Sequence, residues 1–150
     1  IIDCLTKKEI NRNFASQVLL SLVDGFPVHR GDGISEDSLF YRFLELMRIV
    51  DIRLTTNQEI INTFGGGTCY VYNSLPFTYA FFFRNPTSIE TLYDVVNSGG
   101  DADSNGSMCG ALLGALNGTK IFPAHLIDGL VGKEKILDVA ERFCDTFNIN

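Results

Sequence analysis

Apolar residues recur at three- and four-residue steps along most of this chain, and the period-two alternation of a half-buried strand is almost missing. Ile10, Phe14, Val18 and Leu22 fall four apart, with Ala15, Leu19 and Val23 in the adjoining row, before Gly25 and Pro27 stop the pattern. Leu39, Phe40, Phe43, Leu44, Met47 and Val50 resume it after GDGISEDS. Three times a threonine is followed three residues later by glutamate, at Thr6–Glu9, Thr56–Glu59 and Thr87–Glu90. In such a capping box, hydroxyl and carboxylate each bond an amide that a helix start leaves without a partner. Helices are therefore expected over 57–63, 75–84, 88–97, 104–117 and 133–147, the second capped by Ser74 with Pro76 in its first turn. The one strand candidate is the short run from Thr68 to Tyr72. The reading is all-α, with the short connections usual between packed helices.

Composition narrows the partners. At 150 residues, 45% of them hydrophobic and 20% charged, the chain makes one domain or part of one, with no repeat, low-complexity run or linker. A formal net charge of -6 argues against nucleic acid, whose phosphates need a basic face, and is compatible with metal cations. The four cysteines, Cys4, Cys69, Cys109 and Cys144, form no C-x-x-C pair, so free thiols and a cytoplasmic location are expected rather than a zinc knot or disulfide framework. No apolar run approaches the ~20 residues of a membrane span, and no signal peptide is visible. The chain opens on Ile1-Ile2-Asp3 without an initiating Met and is read as a fragment.

The segment from 99 to 118, GGDADSNGSMCGALLGALNG, concentrates the candidate chemistry. Asp101, Asp103, Ser104 and Asn105 place six side-chain oxygens within five residues, the donor type that hard cations such as Mg²⁺ and Ca²⁺ prefer. Helix capping by Asp103 or Ser104 accounts for part of the cluster only. DADSNG also opens like an EF-hand calcium loop, but the twelfth position, which must be a bidentate Glu, is Leu112. Glycine then recurs at Gly106, Gly110, Gly114 and Gly118, although each interior glycine costs a helix about 1 kcal/mol relative to alanine. With Ser107, Ala111 and Ala115 these residues describe a thin-sided, buried central helix whose acidic end is aimed into a cleft.

The same segment, followed by Ile121-Phe122-Pro123, closely resembles the C-terminal signature of the ADP-ribosylglycohydrolase family, G-G-D-x-D-[TS] leading into a small-residue helix. Phe64-Gly65-Gly66-Gly67 through Ser74-Leu75-Pro76, then Tyr79-Ala80-Phe81-Phe82, looks like the glycine-rich turn and aromatic helix that precede it. The resemblance covers roughly 60–135 well and 1–55 in helical pattern only. It implies an ADP-ribosylglycohydrolase-like orthogonal helical bundle, all-α, and two Mg²⁺ ions in a cleft. It implies too a hydrolase that removes ADP-ribose from a modified protein side chain or related adduct. Carried over by position, Asp101, Asp103 and Ser104 are metal ligands, Ser104 standing where threonine is commoner. Asn105 occupies a place often taken by an apolar residue and is left out of the ligand set.

Two further expectations concern the substrate. Gly65, Gly66 and Gly67 are candidates for close backbone approach to a diphosphate, beside the alternative of a plain interhelical loop. Tyr70 and Tyr72 are candidates for stacking on adenine or ribose, beside the alternative of core packing, while Phe81, Phe82 and Phe83 are core. The family's other ligand motif, a T-D-D-T-like run, has no counterpart: Asp-Asp occurs nowhere and Thr55-Thr56 is followed by Asn57. Residues 1–150 therefore read as the C-terminal half of a single domain, supplying half of a binuclear site and needing its N-terminal half as partner. No catalytic acid is assigned. His29 and His125 have no neighbouring ligand, and neither G-x-S-x-G nor a P-loop is present. The competing function is a non-catalytic ADP-ribose-binding module or pseudoenzyme.

Overall fold

The computed structural model describes Ser21, residues 39–50 and residues 55–147. These form α1 (Leu39–Val50), α2 (Asn57–Phe64), α3 (Val71–Arg84), α4 (Glu90–Asn97), α5 (Ala102–Asn117), α6 (Ala124–Asp128) and α7 (Lys133–Phe147), with a 3₁₀ turn at Thr119–Ile121. The described residues contain no strand, as the all-α reading requires. No described helix is long and apolar enough to cross a membrane. The Thr6 capping box, the pattern from Ile10 to Val23, Cys4 and His29 lie outside the described residues.

Local chemistry explains the helix starts, and corrects two of them. At α2 the capping box forms in full: Thr56 Oγ1 accepts from the Glu59 amide at 3.2 Å, and Glu59 Oε2 accepts from the Thr56 amide at 2.7 Å. The helix stops at Gly65, whose φ of 66° is left-handed. The run from Thr68 to Tyr72 is no strand, because α3 begins at Val71 with Tyr70 as its cap residue. The amides of Asn73 and Ser74 both bond the Tyr70 carbonyl, at 2.8 and 3.0 Å, so Ser74 is an interior residue and not the cap. Pro76 then sits in the second turn, forfeiting one backbone bond to the helix. At α4 the Thr87 box does not form. The helix starts at Glu90, and the Ser88 hydroxyl accepts from the Glu90 amide at 3.2 Å instead.

α3 is the hub, packing against α1, α2, α4 and α5. Phe81, Phe82 and Phe83 are all buried, as expected for a helix enclosed on several sides, with Phe77, Phe64, Phe43 and Leu46 beside them. At its far end Arg84 ties three elements together. Its Nη2 pairs with Asp94 Oδ2 at 2.9 Å, its Nη1 donates to the Thr55 carbonyl at 3.0 Å, and Asn57 Nδ2 donates to the other Asp94 oxygen at 3.0 Å.

α5 crosses α3 and α4 with Asn105, Cys109 and Leu113 buried at four-residue steps. Burial pushes the Cys109 thiol up to about 12. The expected central helix is buried along this stripe only: Ser107, Ala111 and Ala115 are exposed. The glycine ladder is half used. A β-carbon at Gly106 would stand 3.0 Å from Val96, and one at Gly114 would stand 3.3 Å from the Phe122 ring, whereas Gly110 faces open space.

Candidate functional site

The site begins at two backbone turns that only glycine can make. Gly65, Gly66 and Gly67 have φ of 66°, 71° and 65°, and Gly100 has φ of 69°. Left-handed geometry alone disfavours a side chain there, and contact forbids it at two of these positions. A β-carbon on Gly67 would lie 2.5 Å from Phe77 Cδ1, and one on Gly100 would lie 2.1 Å from the Gly66 carbonyl oxygen. The two turns thus rest backbone on backbone. Hydrogen bonds fasten them: the Gly67 carbonyl accepts from the Asp101 amide at 3.0 Å and from Asn105 Nδ2 at 2.5 Å. The glycine turn and the acidic segment, distant in sequence, meet at the leading end of α5.

Asp101 is half-buried at the position before α5 and makes no side-chain cap bond. Asp103 and Ser104 are exposed in the first turn, where Asp103 Oδ1 accepts from the Ser104 amide at 2.9 Å. The Asp103 carboxyl is held below its ordinary value by a side-chain hydrogen bond with Asp101 and then by the amides of Ser104 and of Asp103 itself. Asp101 at the cap position and Asp103 in the first turn place both carboxyls at the leading end of α5. The continuous helix over Ala102–Asn117 also removes the calcium-loop alternative, which needs a twelve-residue loop here.

An open groove of about 570 Å³ runs beside the acidic end, walled by Leu92, Tyr93 and Val96 of α4, Gly106 of α5 and Leu126 of α6, with Asp103 among its lining residues. Gly65, Gly66, Gly67, Tyr70 and Tyr72 do not line it. Tyr70 and Tyr72 lie together next to the glycine turn in the chain, their rings 5.0 Å apart. Tyr70 is 50% exposed, which core packing does not describe, whereas Tyr72 is half-buried.

Asp101, Asp103 and Ser104 offer two carboxyls and a hydroxyl, which fit one edge of a hard-cation shell; six oxygen ligands would complete it. Among the described residues, no three His, Cys, Asp or Glu side chains converge on one point. Water, substrate hydroxyls or further protein oxygens would have to supply the rest. Cys69, Cys109 and Cys144 are free thiols, as expected, and His125 is exposed.

Sequence reading missed Asn105 and Thr78. Asn105 is fully buried and turned inward, and Thr78 Oγ1 donates to its Oδ1 at 3.4 Å. The signal was present: Asn105 falls in the same four-residue row as Cys109 and Leu113, where a polar side chain must have buried partners.

A family model described as ADP-ribosylglycohydrolase matches residues 13–149. The match starts well ahead of the segment from 60 to 135 that carries the motifs. No curated protein and no solved structure matches the chain.

Proposed function

We propose, from the premise that this chain belongs to the ADP-ribosylglycohydrolase family, that it takes part in Mg²⁺-dependent hydrolysis releasing ADP-ribose from a modified protein side chain or related adduct. The observation that carries this reading is the placement of Asp101 and Asp103 at one helix start whose backbone is fastened to the glycine turn.

Each residue has a definite task in it. The Asp101 and Asp103 carboxylates and the Ser104 hydroxyl hold divalent cation, the carboxylates offsetting its charge. Two bound Mg²⁺ ions would supply Lewis-acid polarisation of the ribose oxygens and a more acidic water. The amides of Gly65 and Gly66 are given to the Ile61 carbonyl, so within this turn the Gly67 amide is the one that receives the diphosphate, without a basic side chain and in keeping with the net charge of -6. The exposed ring of Tyr70, with Tyr72 behind it, offers a face for stacking on adenine. Two ions need more donors than this segment contains, so the chain supplies one half of the site and an N-terminal part of the domain supplies the other. A cytoplasmic setting suits the free thiols.

The test compares Asp101→Asn and Asp103→Asn with wild type in the complete protein, following ADP-ribose release from an ADP-ribosylated protein with Mg²⁺ and after chelation. Loss of release in both variants and on chelation supports the reading. Undiminished release removes it. Retained binding of ADP-ribose by a wild type that releases none selects the non-catalytic module instead.

A further inference from the structure

Asn105 is the least expected residue of the site. It is a polar amide with no exposure, one helical turn beyond Asp101, and in the same buried row as Cys109 and Leu113. An unsatisfied amide there would carry its full desolvation penalty, so its presence demands partners. It has them on both sides: Nδ2 donates to the Gly67 carbonyl, and Oδ1 accepts from Thr78 Oγ1. Its own backbone amide bonds the Asp101 carbonyl at 2.9 Å, while the Asp101 amide bonds the same Gly67 oxygen that the side chain holds. A closed circuit therefore runs Gly67, Asp101, Asn105 and back to Gly67. An apolar residue of equal size would fill the core but leave this circuit open.

We infer that Asn105 is the positioning residue that locks the glycine turn to the leading end of α5 and thereby fixes the backbone that carries Asp101. Asn105 faces inward and touches no reacting group; it acts through Gly67 and Asp101. The inference rests on the proposed role of Asp101 toward cation, but the lock itself exists without any ion and can be measured without one.

The first measurement uses the metal-free wild-type protein. Asp101 precedes α5, so its amide has no helical acceptor, and the Gly67 carbonyl is what protects it from solvent exchange. Protection close to that of amides inside α5 is expected; exchange at the rate of an open loop overturns the inference. In Asn105→Leu the Asp101 amide should exchange about tenfold faster relative to the Phe81 amide of the core. The smaller Asn105→Ala removes the donor without adding bulk and should move the ratio the same way. Leu113→Ala, an equally buried change in the same helix, should lower overall stability and leave the ratio where it was. An unchanged ratio at Asn105, or an equal rise in Leu113→Ala, overturns the inference.

Titration of the complete protein with Mn²⁺ as the probe adds the functional arm. Asn105→Leu should weaken uptake about tenfold, the usual scale for residues that orient a ligand, whereas Leu113→Ala should stay within about twofold. Equal losses in the two variants make Asn105 merely structural and overturn the positioning role. A wild type that takes up no Mn²⁺ removes the proposed function, while amide exchange still decides whether the lock exists.

Discussion

α5 and α7 are helices of nearly equal length, 16 and 15 residues, and they teach opposite lessons about pattern. α7 has the cleaner stripe: Ile136, Leu137, Ala140, Phe143, Cys144 and Phe147 share one side, with charges on the other. Yet it buries no residue, and Ile136, Phe143 and Phe147 are 51%, 56% and 62% exposed. α5 is poor in large apolar residues and studded with glycine, but Asn105, Cys109 and Leu113 are fully buried and the backbone sits hard against Val96 and Phe122. Periodicity reports which side of a helix wants company. Small side chains report that a neighbour has come close.

The sharpest way to break this contrast is at the seam under α5. Gly100→Ala combines a left-handed φ with a β-carbon 2.1 Å from the Gly66 carbonyl oxygen. It should cost about 4 kcal/mol or prevent folding, as read by chemical denaturation. A cost near that of an ordinary surface change would mean that the two turns are not in contact in solution.

Next comes a matched pair of truncations. Leu113→Ala on α5 should destabilise by about 3 kcal/mol, and Phe143→Ala on α7 by about 0.5 kcal/mol or less. Should Phe143→Ala prove as costly as Leu113→Ala, α7 is covered in solution and the contrast disappears.

Three smaller effects sharpen it. Thr56→Ala removes the capping box of α2 and should cost about 1 kcal/mol by thermal unfolding. The Thr56 backbone amide, and then its hydroxyl, hold the Glu59 carboxyl below its ordinary 4.5. Because the folded value is the lower one, that support is complete above the unfolded value and lost as pH falls through the folded one. The wild type should therefore weaken on acidification slightly more than Glu59→Gln does, a difference that comparison of Tm at neutral and acid pH will read. Gly110→Ala should do the reverse of Gly100→Ala and stabilise by about 0.5–1 kcal/mol, since open space surrounds it and its helical φ suits alanine.

Sequence carried the fold class, the helical pattern of α1, the limits of α7, those of α2 to within a residue and the Thr56 cap, because each depends on neighbours within a turn or two, and the family through its motifs. The start of α3 escaped it: Thr68 to Tyr72 has strand-like composition, but no partner strand exists among the described residues and the Tyr70 carbonyl nucleates a helix instead. Thr87 failed as a cap because helical dihedrals begin only at Ile89 and the Ser88 hydroxyl takes the Glu90 amide. At the site, the acidic residues were legible as chemistry, whereas the Gly67 lock was not. Its three partners, Gly67, Thr78 and Asn105, are joined only by tertiary contact.

A turn built from Gly65, Gly66 and Gly67 has no side chains through which selection can act. Point substitutions there can break the segment but cannot retune it. Chemical variety at this surface must therefore be written in surrounding residues such as Asn73 and Tyr70, around a fixed frame of bare backbone.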